Sequence, residues 1–328
     1  MKRFFSTVGL AILCLAPQAY ADDGAASIAV GGIIVMGKES RVVMAKESLW
    51  ISVGKVKVEY EFRNDCDQDI TTEVAFPIPD YELDPQNPPP NKEGFDDFKL
   101  WVNGIPTKFQ IESRAFVHHK EITALLKLEH IDILTFGHGT WMDSSKDIAR
   151  LSQSEKKKLI DTHAIDEDDR PIWSVRKKYH WTQVFPAHGI VKIRHEYSPV
   201  VGNENSITYG LGSSPDKQSA QEIMSMCPDE KLLPKLKRLA MSSEKEAWYE
   251  YVDFILTSAN TWKTPIEEFT LTVERARMKD STPTLVSFCW DGSVEKIDED
   301  HFVAHLTNFI PSRELRVGYF IEQKRPKY

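Results

Sequence analysis

Alternation of apolar and polar positions dominates the chain. Leu49, Ile51 and Val53 are apolar at odd positions, and from Val56 through Val58, Tyr60 and Phe62 the apolar set moves to even positions. Successive side chains of a strand point to opposite faces, so this pattern predicts strand, and the change of parity at Gly54-Lys55 predicts a bulge or sharp bend. After a polar turn from Asn64 to Asp69, Ile70, Val74 and Phe76 again keep one face apolar. The two runs read as an antiparallel pair. Asn103-Gly104 is a two-residue hairpin signal that sets Val102 opposite Ile105, Leu100 opposite Thr107 and Phe98 opposite Phe109, with Pro106 marking an edge strand. Farther on, Tyr179, Trp181, Gln183 and Phe185 share one parity and Val191, Ile193, His195 and Tyr197 share another. A hairpin through residues 186–190 would set Trp181 opposite His195 on one face and His180 opposite Glu196 on the other.

Between these strand regions the period changes. Ile122, Leu125, Leu126, Ile131 and Leu134, then Ile148, Leu151, Leu159 and Ile160, recur at helical spacing, and Ser152 to Glu155 has the form of a capping box. We read a helical insertion over about 116–172, with Lys156-Lys157-Lys158 on its solvated face. The proline-rich stretch from Pro77 to Gly94 reads as an extended surface loop. A short helical stretch over Gln218 to Lys237 precedes further strands at Tyr249 to Leu256, Phe269 to Val273, Leu285 to Cys289, Phe302 to Leu306 and Leu315 to Ile321. The expected fold is mainly β and α+β overall: a β-sandwich domain over 22–200 carrying the insertion, then a second β-rich domain over 201–328.

The first residues follow neither period. Met1-Lys2-Arg3, an apolar run from Phe4 to Ala16, and Ala19-Tyr20-Ala21 have the order of a secretory signal peptide cut after Ala21, and Leu13 before Cys14 does not suit lipid attachment. Cleavage would leave 307 of the 328 residues and, by removing Lys2 and Arg3, take the net charge from −8 to −10. With 49 acidic against 41 basic residues the chain is a poor nucleic-acid binder. No later stretch is apolar enough for a transmembrane helix. The expected location is therefore periplasmic or secreted, and the three cysteines left there, Cys66, Cys227 and Cys289, allow one disulfide and one remaining thiol in any of three pairings.

Recognisable chemistry is sparse. Ser154-x-x-Lys157 and Ser214-x-x-Lys217 match a short penicillin-recognising motif, yet Lys263-Thr264-Pro265 spoils its companion, and neither G-x-S-x-G nor H-E-x-x-H occurs. Asp65, Asp67 and Asp69 have the opening spacing of a calcium loop, but Ile70 and Phe76 stand where Gly and Glu are needed, so they are weak calcium candidates. His118, His119 and His138 carry no zinc spacing. No metal and no cofactor is expected. His180, Trp181, Gln183 and His195 are the ligand-binding candidates: polar groups among aromatic rings, either a hydrogen-bonded structural centre or a pocket for a sugar or peptide.

Several segments together resemble an exported bacterial family known as domain of unknown function family 4424. They include Glu47-Ser48-Leu49-Trp50-Ile51-Ser52, Val74-Ala75-Phe76-Pro77-Ile78-Pro79, the W-x-Q-x-F-P run from Trp181 to Pro186, His195-Glu196-Tyr197-Ser198-Pro199, Cys227-Pro228-Asp229 and Ala259-Asn260-Thr261-Trp262-Lys263. The resemblance spans nearly the whole mature chain. It implies export and a Cys227–Cys289 disulfide, with Cys66 left over; it implies no activity. The combined expectation is a non-catalytic envelope protein that binds another envelope protein or a cell-wall component. The alternative is a hydrolase with its site around His180, Trp181, Gln183 and His195.

Overall fold

The computed structural model describes residues 24–29, 33–82, 97–134, 146–199, 201–275 and 284–324. The expected signal peptide, Cys14, His138 and most of the proline-rich stretch lie outside the described residues. In chain order the first part holds β1 (Gly24–Ala29), β2 (Ile33–Met36), β3 (Val42–Ile51), β4 (Val56–Asn64), β5 (Ile70–Pro77), β6 (Tyr81–Glu82), β7 (Lys99–Val102), β8 (Ile105–Pro106), β9 (Gln110–Val117) and β10 (Lys120–Glu121). Then come α1 (Thr123–Leu128), α2 (Lys146–Ala149), α3 (Gln153–Asp161), β11 (Ser174–Phe185), β12 (Ile190–Tyr197), β13 (Val201–Ser206), α4 (Ile207–Leu211), α5 (Lys217–Ser225) and α6 (Leu232–Ala240). The last part holds β14 (Lys245–Phe254), β15 (Ile266–Glu274), β16 (Leu285–Phe288), β17 (Glu295–Lys296), β18 (His301–Phe309) and β19 (Leu315–Lys324). The fold is mainly β and α+β overall, as its alternating pattern predicts.

Among the described residues the strands form three sheets. A seven-stranded sheet runs β10-β9-β11-β5-β1-β2 with β6 beside β11, and an eight-stranded sheet runs β17-β18-β15-β3-β4-β12-β7-β8. Their apolar faces meet in one aromatic core: Phe62 lies 5.7 Å from Phe185 between ring centroids, Phe76 5.6 Å from Tyr197, and Phe98 stacks on Tyr179 at 4.0 Å. The third sheet, β13-β14-β19-β16, is split by strand parity. Val252, Phe254, Val317 and Tyr319 join the main core, while Ala247, Tyr249 and Phe320 face α4, α5 and α6 in a smaller one.

Two expected pairings are corrected. The parity change at Gly54-Lys55 is a hairpin turn, with Ile51 opposite Val56 and the Ser52 amide donating to the Lys55 carbonyl at 2.9 Å, so β3 and β4 are the antiparallel pair. The Ile70–Phe76 run lies in the other sheet, against β11. Likewise β11 and β12 are not a hairpin: β11 pairs with β5 and β9, and β12 with β4 and β7. In both cases an apolar face is equally well buried by a partner across the sandwich as by a neighbour in the same sheet, and alternation does not distinguish the two. Buried Asn64 fixes one crossing between sheets, its Nδ2 donating to the carbonyls of Gln68 and Phe185, each at 2.9 Å.

Other local signals hold as expected. Asn103 and Gly104 have φ of 51° and 78°, the left-handed values of a tight hairpin turn, and pair Val102 with Ile105 and Trp101 with Pro106 at the end of the sheet. Ser152 and Glu155 form a reciprocal capping box on α3. The Gln218–Lys237 stretch is two helices, broken around Cys227-Pro228. A disulfide joins Cys227 to Cys289 and Cys66 is free. β15 runs parallel to β3, so strands from before and after residue 200 share one sheet.

Candidate functional site

The four candidates singled out above fall into different environments. His195, on the inner face of the eight-stranded sheet, is fully buried, with the rings of Phe76, Phe98, Trp181 and Tyr60 at centroid distances of 4.8, 5.1, 5.4 and 5.8 Å. Trp181 and Gln183 project inward from β11 on the opposite sheet. The Trp181 indole donates to Gln183 Oε1 at 3.3 Å, and Gln183 Nε2 donates to the Val184 carbonyl at 2.7 Å. Trp181 therefore meets His195 across the sandwich rather than along a hairpin. His180 points to the other face of β11, where its Nδ1 lies 2.8 Å from Glu73 Oε1 and Thr182 donates to Glu73 Oε2 at 3.0 Å. His180 and His195 do not share a site. The inward three form a packed polar centre between the sheets.

The weak calcium candidates also diverge. Asp65 pairs with Arg63 at 2.7 Å, which holds its carboxyl below the usual range; Asp67 meets His188 Nε2 at 2.9 Å; Asp69 accepts from the Ala187 amide at 2.9 Å. The His118 ring lies 6.0 Å from that of His163. No group of three or more His, Cys, Asp or Glu among the described residues is placed to hold a metal.

The outer face of the eight-stranded sheet is different. Residues opposite each other on adjacent strands share a face, so the register builds rows across it. One row runs Pro106, Trp101, Arg194, Glu59, Ser48, Thr270 and His305. The next runs Lys192, Glu61, Lys46 and Glu268. A cleft of about 380 Å³ lies over these two rows. The Arg194 guanidinium stacks 4.0 Å above the Trp101 ring, fixing a part-exposed indole as one wall. Lys192 pairs with Glu61 and Lys46 with Glu268, each at 3.0 Å, and the Glu268 bond raises the Lys46 pKa. Glu196 beside the cleft is held below the usual carboxylate range by Lys55 at 2.8 Å. Glu59 is exposed and carries no ion pair or side-chain hydrogen bond among the described residues. This is the size of a small-ligand pocket, with charged side chains around it and the Trp101 indole as one wall. A smaller cavity beside Cys289 and Trp290 holds about 30 Å³, room for a single water.

The sequence reading missed the cleft. Its signal was the polar half of the alternation, Trp101, Arg194, Glu59 and Ser48, which becomes a site only once β7, β12, β4 and β3 are set side by side.

A family model described as Domain of unknown function (DUF4424) matches residues 21–317. No curated protein matches the chain. Among solved structures, a chain from Legionella pneumophila subsp. pneumophila str. Philadelphia 1, provisionally described as a nutrient binding protein, is similar with a TM-score of 0.43 and 14% identity over 86% of this chain and 68% of that one.

Proposed function

The chain belongs to the DUF4424 family, a domain of unknown function, and from that premise we propose that it is an exported, periplasmic or secreted, non-catalytic binding module. The observation that carries this reading is the cleft over the outer face of the eight-stranded sheet, walled by Trp101 with the Arg194 guanidinium stacked on its ring. Export is supported by the order of basic, apolar and small residues up to Ala21 and by the Cys227–Cys289 disulfide. Among the described residues no helix is long and apolar enough to cross a membrane. The hydrolase alternative loses support because His195 is enclosed by rings and His180 lies on the opposite face of β11.

Two experiments test the reading. The N-terminus of the protein recovered from the periplasm or medium should begin at Asp22; a cell-internal protein that keeps Met1 contradicts export. A photo-crosslinking residue in place of Pro106, exposed and opposite Trp101 in the outer-face row, should capture an envelope component reproducibly, whereas one in place of Val184, exposed on the other sheet, should not. Equal capture at both positions contradicts the cleft as the binding surface.

A further inference from the structure

We propose that the cleft over the outer face of the eight-stranded sheet binds a neutral carbohydrate, a short oligosaccharide that lays a sugar ring against Trp101 and runs along the row toward Ser48. The inference rests on the binding-module reading and adds the chemical class of the ligand.

Three observations select that class. The first is charge. Lys192 and Lys46 are each matched to a carboxylate at 3.0 Å, and Arg194 is set between Glu59 beside it in register and Glu196 at 3.9 Å. An array so balanced offers no net field to a phosphate, a nucleic acid or a polycationic peptide, each of which would be recognised by an excess of one sign. The second is donor and acceptor density. Arg194 and Lys192 supply donors, Glu59 supplies an acceptor without a partner among the described residues, and the Ser48 hydroxyl supplies both. Vicinal hydroxyls of a sugar need such alternating partners. The third is the aromatic wall. The Arg194 guanidinium stacks on the Trp101 ring at 4.0 Å, so the ring orientation is set before any ligand arrives. A rigid, part-exposed indole presents an apolar surface to the C–H face of a pyranose at little entropic cost.

The length also fits. Trp101, Arg194, Glu59 and Ser48 stand on four adjacent strands, a span of about 14 Å at the spacing of neighbouring strands. That matches a di- or trisaccharide lying across the strands.

The test uses the mature full-length protein, fluorescently labelled, on a printed panel of neutral, amino-sugar and acidic oligosaccharides with stem peptides and inorganic phosphate as competitors. At least one neutral oligosaccharide should bind saturably, with phosphate and peptides failing to compete. Trp101→Ala should weaken that binding at least tenfold and Trp101→Phe should retain part of it. Trp50→Ala, which removes the other outer-face indole, held by Lys57 at 4.9 Å, should leave binding unchanged, and near-ultraviolet circular dichroism should show that all three variants keep the fold. Binding of a stem peptide or phosphate but no sugar, lost on Trp101→Ala, overturns the carbohydrate class and leaves the cleft as a binding site. Failure of every probe, together with no capture at position 106, overturns both.

Discussion

Two ring-centred sites sit back to back through the eight-stranded sheet, and they differ in what surrounds them. On the inner face His195 is wrapped by Phe76, Phe98, Tyr60 and Trp181 and fully buried. On the outer face Trp101 carries the stacked Arg194 guanidinium and opens onto a cleft. A buried imidazole among rings contributes to packing between two sheets; a part-exposed indole beside ion pairs contributes less to stability and is free to meet a ligand. Stability and binding should therefore separate cleanly between the two faces.

The largest effect should come from the inner face. Phe76→Ala removes the ring that touches His195, Tyr197 and Phe98 and should cost about 3–5 kcal/mol in urea unfolding. A loss below about 1 kcal/mol would mean that this centre is loosely packed and open to ligand. Replacing Cys227 and Cys289 together by Ser opens a bridge spanning 62 residues and should cost about 4 kcal/mol by loop entropy. It should leave binding at the Trp101 cleft intact, since the bridge serves the third sheet. Gly318→Ala would bring a Cβ to 2.1 Å from Met226 Sδ where α5 ends against β19, and should cost about 1–3 kcal/mol.

On the outer face Trp101→Ala should change stability by about 1 kcal/mol or less while removing binding. The smallest effect is in acid. Lys55 holds the Glu196 carboxyl below its ordinary value, so the pair stabilises the fold above the ordinary carboxylate range and loses that contribution as pH falls through the lowered value. Glu196→Gln should narrow the difference in unfolding midpoint between pH 7 and about pH 3, by a fraction of about 1 kcal/mol. An unchanged difference would mean that Glu196 carries no such linkage.

The contrast also explains what the sequence could and could not reveal. Alternation identified which residues of β3, β4, β11 and β12 are inward, because burial acts on each strand's own face. It misassigned the partners of β5 and β11, because a strand facing another across the sandwich shows the same parity as one beside it. Local signals survived where the cause was local: the Asn103-Gly104 turn and the Ser152 capping box need only their own few residues. The disulfide pairing came from the family resemblance, since three thiols alone leave it open. The cleft was illegible because Trp101, Arg194, Glu59 and Ser48 become neighbours only through four strand registers.

The most direct measurement is the indole NMR spectrum of the mature protein, whose eight tryptophans report on both faces at once, during titration with the oligosaccharide that binds best. The Trp101 indole resonance should shift with ligand while those of Trp181, Trp173 and Trp262, all buried in the main core, stay in place. A shift of Trp181 with Trp101 unmoved would place the site between the sheets, at His195, and rule out the outer-face cleft as the binding surface.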